Sequence, residues 1–294
     1  RSLKGSSNSA SIALPDQARA AGGFRVLADV AGIGIIPSVK SEDESCCKGW
    51  CLSISLRAAK LTFRALRSCG ASLLPQDCFL CAAAAGKALL CDACGHDLPR
   101  LPRPCCPICA LPTPLGETCG ACLKKAPYFD ATLGCFSYHF PVDRLVHALK
   151  YQHRLVVAAF LAHSLAEALP TPAELPPADL LLALPLSVPR LRQRGFNQAL
   201  EIARPLARRL GLPLLAEGTT RVIDTAPQAS LPWQERHRNI RGAFECALDL
   251  TGKTVVVVDD VMTSGATLNE FARILKQHGA KHVSNWVAAR ALKH

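Results

Sequence analysis

Aromatic residues make up only 5% of the 294 positions, which leaves few platforms on which single-stranded bases can stack. No stretch reaches about 18 uninterrupted apolar residues, the length a bilayer-spanning helix needs, so no membrane insertion is expected. Residues 21–37 are apolar but broken by Arg25 and Asp29, and they lack the ordered pattern of a signal peptide. The expected location is therefore cytoplasmic. Methionine is nearly absent, with Met262 the single instance. Residues 1–55 show no sustained period of either kind and carry no readable function. A P-loop is missing too: Gly252-Lys253-Thr254 supplies its end, but Ala247 stands where the first glycine belongs, and the run precedes a strand instead of following one. Acidic residues are few beside basic ones, 23 against 34, for a net charge of +11. Such a balance favours polyanionic company, whether pyrophosphate, nucleotide or nucleic acid.

Cysteine is what the chain has in excess. Fifteen cysteines without an export signal argue for metal in a reducing compartment over disulfides. The run Cys78-x2-Cys81-x9-Cys91-x2-Cys94 recurs as Cys106-x2-Cys109-x9-Cys119-x2-Cys122, every cysteine displaced by the same 28 positions (78 to 106, 81 to 109, 91 to 119, 94 to 122). Each Cys-x2-Cys folds as a knuckle that presents two thiolates at the angle tetrahedral zinc requires. Two four-cysteine zinc sites filled in sequence are the preferred arrangement, with a cross-braced pairing or a single occupied site as alternatives. Cys105 is a substitute ligand. Cys135 and Cys246 read as core fillers, and Cys46, Cys47 and Cys51 as incidental. Redox chemistry is the rival reading, but the thioredoxin-like context it needs is absent.

The richest stretch runs from Thr254 to Thr267. Val255 to Val258 read as a strand buried on both faces, followed by Asp259 and Asp260, a run of small and hydroxyl residues, and a helix with Leu268, Phe271, Ala272 and Leu275 on one face. Backbone N–H groups at such a helix start make an anion site, and Gly265 lets a phosphate approach closely. Two carboxylates beside a phosphate must address something else, and the vicinal hydroxyls of a ribose fit. A ribose 5-phosphate satisfies both halves.

This segment resembles the phosphoribosyl pyrophosphate (PRPP) motif of type I phosphoribosyltransferases, with Ser264 where that family most often has threonine. The resemblance implies that Asp259 and Asp260 hold the ribose hydroxyls and steady developing positive charge. It further implies that Val261, Met262, Thr263, Ser264, Gly265, Ala266 and Thr267 complete the PRPP site around the 5-phosphate, with Mg2+ bound alongside. Strands ending in Asp-Asp also occur in P-loop proteins and in phospho-acceptor receiver domains.

Upstream, Asp179 to Pro185 reads as a strand, and Arg190, Arg192 and Arg194 cluster just past its carboxyl end, where open α/β sheets bind ligands. A guanidinium grips two phosphate oxygens at once, which suits departing pyrophosphate; the rival is a solvated charged loop. The run Arg192-x-Arg194-Gly195-Phe196-Asn197-Gln198 resembles the signature of the ComF family, a branch of these transferases with a cysteine-rich zinc module ahead of the transferase-like domain. The same order is found across residues 75–292. The resemblance also implicates the block from Thr225 to Phe244 as a mobile lid from which Gln228, Arg236, Arg238 and Asn239 reach pyrophosphate or the acceptor.

Alternating strand and helix signals from residue 131 predict an α/β protein: a type I phosphoribosyltransferase fold, mainly a parallel sheet flanked by helices, preceded by a small zinc-ribbon-like module. The expected division is an uninterpretable extension at 1–55, a double zinc module with a preceding helix at 56–127 and a transferase-like domain at 128–294. Strands are expected at Ala131–His139 and His282–Ala289, and helices at Pro141–Tyr151, 154–169 and 197–210, the last capped by Asn197. The implied reaction displaces pyrophosphate from C1 of PRPP by an unidentified nitrogen acceptor, with Mg2+ and Zn2+ as cofactors. The alternative, which the ComF resemblance implies through that family's association with competence and DNA uptake, is a non-catalytic protein that binds single-stranded DNA through zinc and keeps the pocket for sensing phosphate or nucleotide. A metal-built scaffold that recruits competence-machinery proteins is the third reading.

Overall fold

The computed structural model describes residues 76–169, 177–224 and 240–292, all of which belong to one compact unit. The extension at 1–55, the helix expected at 56–74 and the lid residues Gln228, Arg236, Arg238 and Asn239 lie outside the described residues.

The cysteine-rich region holds two short strands, β1 (Gln76–Asp77) and β2 (Ala84–Gly86), and two short helices, α1 (Asp92–His96) and α2 (Gly120–Lys124). Next come β3 (Ala131–Ser137), α3 (Val142–Tyr151), α4 (Val156–Ala168), β4 (Leu180–Ala183), α5 (Val188–Arg194) and α6 (Gln198–Leu210). The chain ends with β5 (Leu214–Leu215), β6 (Thr219–Arg221), β7 (Phe244–Cys246), β8 (Thr254–Met262), α7 (Ala266–Gln277) and β9 (His282–Arg290).

Leucine and valine runs without a polar face need cover on both sides, and they form the middle of the sheet. Its order is β3-β9-β8-β4-β5, with every neighbouring pair parallel. Helices α4 and α6 pack on each other, α4 against β3 and β9 and α6 against β4 and β8, while α7 lies against β9 and β7. From β4 the chain moves outward to β5, whereas from β8 it moves the opposite way to β9. Right-handed crossovers in opposite directions put α6 and α7 on opposite faces. Between β4 and β8 the direction reverses, and at such a switch point a crevice opens beyond the strands' carboxyl ends.

Two local expectations change. The strand predicted for Val255 to Val258 runs on to Met262, because its pairing with β9 continues to Met262 opposite Arg290. Asp259 and Asp260 therefore sit inside the strand, where successive side chains leave opposite faces. The arginine stretch, read only as a cluster past the strand's carboxyl end, is the helix α5. Pro189 suits its first turn, and Gly195 ends it with a φ of 74°. Helical spacing puts Arg190 and Arg194 on one face and turns Arg192 away to solvent.

The cysteine-rich region also closes the sheet. Strand β3 would otherwise be a free edge, but the Leu101 N–H donates to the Cys135 carbonyl at 3.0 Å and the Ser137 N–H to the Pro99 carbonyl at 2.8 Å. Covering an edge in this way removes a template for aggregation.

Candidate functional site

The eight cysteines of the two repeats gather as two tetrads, Cys78, Cys81, Cys91, Cys94 and Cys106, Cys109, Cys119, Cys122, each with its sulfurs within 4.8 Å of one another. They group in sequence order, not cross-braced. The 28-residue repeat persists in three dimensions: Cys81 Sγ lies 3.7 Å from Cys91 Sγ, and Cys109 Sγ 3.6 Å from Cys119 Sγ. A tetrahedral ion with metal–sulfur bonds of about 2.3 Å spaces its sulfurs by about 3.8 Å, so both tetrads have the size zinc requires. Burial raises the Cys78 and Cys106 thiols, yet N–H groups from Cys91, Cys81 and Leu80, and from Cys119, Cys109 and Ile108, outweigh it and lower them to about 6 and about 7. Hydrogen bonds from Cys81 and Cys91 push Cys94 far up, and burial does the same to Cys122. A metal takes its cysteine ligands as thiolates, the form that the lowered Cys78 and Cys106 thiols favour. Cys105 is not a member; its Sγ donates to the Pro102 carbonyl at 2.7 Å. Cys135 is buried, as expected of a core filler, and Cys246 is half-buried.

The crevice between β4 and β8 holds a cavity of about 320 Å3. On its wall are Asp259, Asp260, Val261 and Met262 from the end of β8, Thr263, Gly265 and Thr267 from the turn and helix start that follow, and Arg190 and Arg194 from α5. Ser264 and Ala266 belong to the same turn, where Ser264 Oγ accepts from the Ala266 N–H at 3.2 Å. Arg192 is absent from the wall, for the helical reason above. Gly265 has a φ of 78°, and a Cβ there would lie 2.5 Å from Met262 Cε, so no other residue fits this turn without displacing a neighbour.

Each residue of the run after α5 has a local task. Arg194 Nη1 donates to Gln198 Oε1 at 3.0 Å, and its guanidinium lies 5.4 Å from the Tyr151 ring centre. Phe196 packs on His153. Asn197 caps α6 by accepting from the Ala199 N–H at 3.0 Å, and its amide donates to the Leu184 carbonyl at 3.0 Å, tying the exit of β4 to the helix.

Sequence reading missed Lys150. It projects from α3 into the cavity, where Nζ meets Asp260 Oδ2 at 2.9 Å. Burial would depress the ammonium, but the Asp260 carboxylate more than compensates and raises it. The available signal was a lysine four residues after Val146, on the helix face otherwise given to Val142, Leu145 and Leu149. Tyr138, His147 and Arg221 also line the cavity, as does Gln198 from the run that carries the family resemblance; the first three did not stand out in the sequence, because each comes from a different part of the chain.

Two family comparisons follow from this architecture: residues 70–123 match the double zinc ribbon domain, and residues 197–292 match the phosphoribosyl transferase domain. The DNA utilization protein YhgH of Shigella flexneri is 35% identical over 227 residues, covering 74% of this chain and 99% of that one. The chain belongs to the ComF family. Competence protein F of Haemophilus influenzae is 32% identical and covers 60% of this chain and 79% of its own. Competence protein ComFC of Bacillus subtilis is 24% identical, with 69% and 84% covered. This ComF-family chain thus has the transferase-like parallel sheet with an amino-terminal double zinc ribbon. Among its described residues no helix is long and apolar enough to cross a membrane.

Asp259 gives the cavity a pH signature. Burial first, and the Asp260 charge second, raise its carboxyl from 3.8 to about 7, against the opposing pull of Lys150, the Asp260 N–H and Arg221. Between these values the folded state holds a proton that the unfolded chain has released, so this contribution is complete below about 4 and disappears by about 7. Urea denaturation at pH 5 and pH 7.5 should show a fall in stability that is smaller in Asp259→Asn. Equal falls in both proteins would contradict the assignment.

Proposed function

We propose that the cavity binds PRPP with magnesium and supports displacement of its pyrophosphate by a nitrogen nucleophile. The observation that carries this reading is the convergence, on one wall, of the Thr263–Thr267 turn, the acidic pair and two arginines. In this reading the turn's N–H groups and hydroxyls hold the 5-phosphate. Asp259 and Asp260 accept hydrogen bonds from the ribose hydroxyls, and their charge steadies the oxocarbenium character that develops at C1. Arg190 and Arg194 face the pyrophosphate, which departs with the electrons of the C1–O bond as the nitrogen lone pair forms the C1–N bond. Lys150 orients Asp260. The site suits a hard cation, because burial first and the Asp260 charge second raise the Asp259 carboxyl, and the crowded pair would gain a counter-charge from it. Magnesium bound with the substrate would supply a hard counter-charge for the pyrophosphate oxygens. Gln228, Arg236 and Asn239 would close over the ligand.

The test is calorimetric titration with magnesium and PRPP, followed by a pyrophosphate-release assay against ammonia and a panel of nucleobases. Saturable binding with release supports catalysis; binding without release in any mixture reduces the site to a sensor. No binding at all would overturn the reading. The second reading, a zinc-dependent single-stranded DNA binder, is favoured by the net charge of +11 and by relatives named for competence and DNA utilization. It requires oligonucleotide affinity that falls with salt, is lost on zinc removal and ignores PRPP.

A further inference from the structure

Arg290, the last residue of β9, is 2% exposed. Its Nε donates to the Cys109 carbonyl at 2.9 Å, and its Nη1 reaches the carbonyls of Met262 at 3.0 Å, Ala291 at 2.8 Å and Thr263. Cys109 is a member of the second cysteine tetrad, while Met262 and Thr263 open the turn that lines the cavity. One guanidinium therefore joins the ribbon to the turn.

The charge balance explains why a cation is tolerated there. The contacts above are all carbonyls, which carry partial charges only. A divalent ion held by four thiolates leaves two net negative charges, and the second tetrad, once loaded, is the counter-ion beside Arg290. A planar fork serves carbonyls from two directions together, which a lysine ammonium on a flexible stem does less well. A second connection runs parallel: the Tyr128 N–H, on the segment leaving the ribbon, donates to Asn269 Oδ1 at 2.7 Å on α7. The adjoining Phe129 ring would lie 3.8 Å from a Cβ placed on Gly265.

We infer that Arg290 is a positioning residue through which metal loading of the second tetrad sets the shape of the Met262–Thr267 turn and hence its grip on a phosphorylated ligand. The ligand half of this statement rests on the proposed PRPP reading; the conformational half does not.

The test compares the zinc-loaded protein with Arg290→Lys, Arg290→Gln, Cys119→Ser and the double variant Cys119→Ser/Arg290→Gln. Amide hydrogen exchange across Val261–Thr267 is followed by mass spectrometry, and magnesium–PRPP affinity by calorimetry. Each glutamine or serine change should speed exchange in the turn roughly tenfold while the amides of β4 keep their rates. The double variant should exchange no faster than either single one, because both changes cut one connection. Additive effects, or an unchanged turn in Cys119→Ser, would overturn the inference. Should Arg290→Gln fail to fold, Arg290→Lys against Cys119→Ser decides by the same criterion. If the unaltered protein ignores PRPP, the functional proposal falls and the exchange comparison still decides this one.

Discussion

Stripping zinc with a thiol-reactive mercurial and a chelator is expected to release two ions per chain, one for each tetrad, and to unfold the ribbon. A structural zinc site in a small finger is worth ~10–16 kcal/mol in apparent binding free energy, comparable with the ~5–15 kcal/mol that stabilises a whole domain. Helices α1 and α2 are only 5 residues each, and Cys122 is the only buried residue in either, so little apolar burial replaces the metal. The consequence reaches further than the ribbon. The Leu101 N–H and the Pro99 carbonyl leave β3, and its unpaired edge then invites association between chains. Elemental analysis, circular dichroism and light scattering before and after removal measure all three effects. Fewer than two ions in the intact protein, or a stripped protein that stays folded and monomeric, would contradict the assignment.

Replacing Asp260 with asparagine should weaken magnesium–PRPP binding roughly 10- to 100-fold, the worth of one or two charge-assisted hydrogen bonds. The same change should cost about 3 kcal/mol of stability, because Lys150 keeps its charge in a part-buried place without its anion. Separating the two effects needs a third protein. In Lys150→Met/Asp260→Asn neither charge remains, so most of the stability returns while the ligand still lacks its carboxylate. Affinity that recovered along with stability would make Asp260 a purely structural partner of Lys150. Affinity unchanged in Asp260→Asn would remove the acid from the site altogether.

Much of this was legible because it is written in local spacing. The displaced Cys-x2-Cys repeats, the valine strand with its acidic end and the glycine of the following turn each act over a few residues, and a linear pattern records such constraints. The limits of legibility are equally physical. Whether Val255–Val258 stops at the acids or pairs on to Met262 depends on β9, which arrives 20 residues later (from 262 to 282). That Arg190 and Arg194 face the cavity while Arg192 faces water follows from α5 being a helix, which three arginines and a proline do not announce. Lys150 reads in the sequence only as part of the last turn of a helix, since its partner Asp260 lies 110 positions away (from 150 to 260).

Composition and local motif alone determined the class of this ComF-family chain: a cysteine-tetrad module followed by a parallel α/β body with a small-residue turn after an acidic strand end. Only the tertiary structure decided how the cysteines divide into tetrads, which charges meet in the crevice and that Arg290 links the ribbon to the turn. Knuckles and strand ends are specified by neighbours in sequence, whereas ion pairs and buried cations exist only where distant segments are brought together by the packing of the sheet.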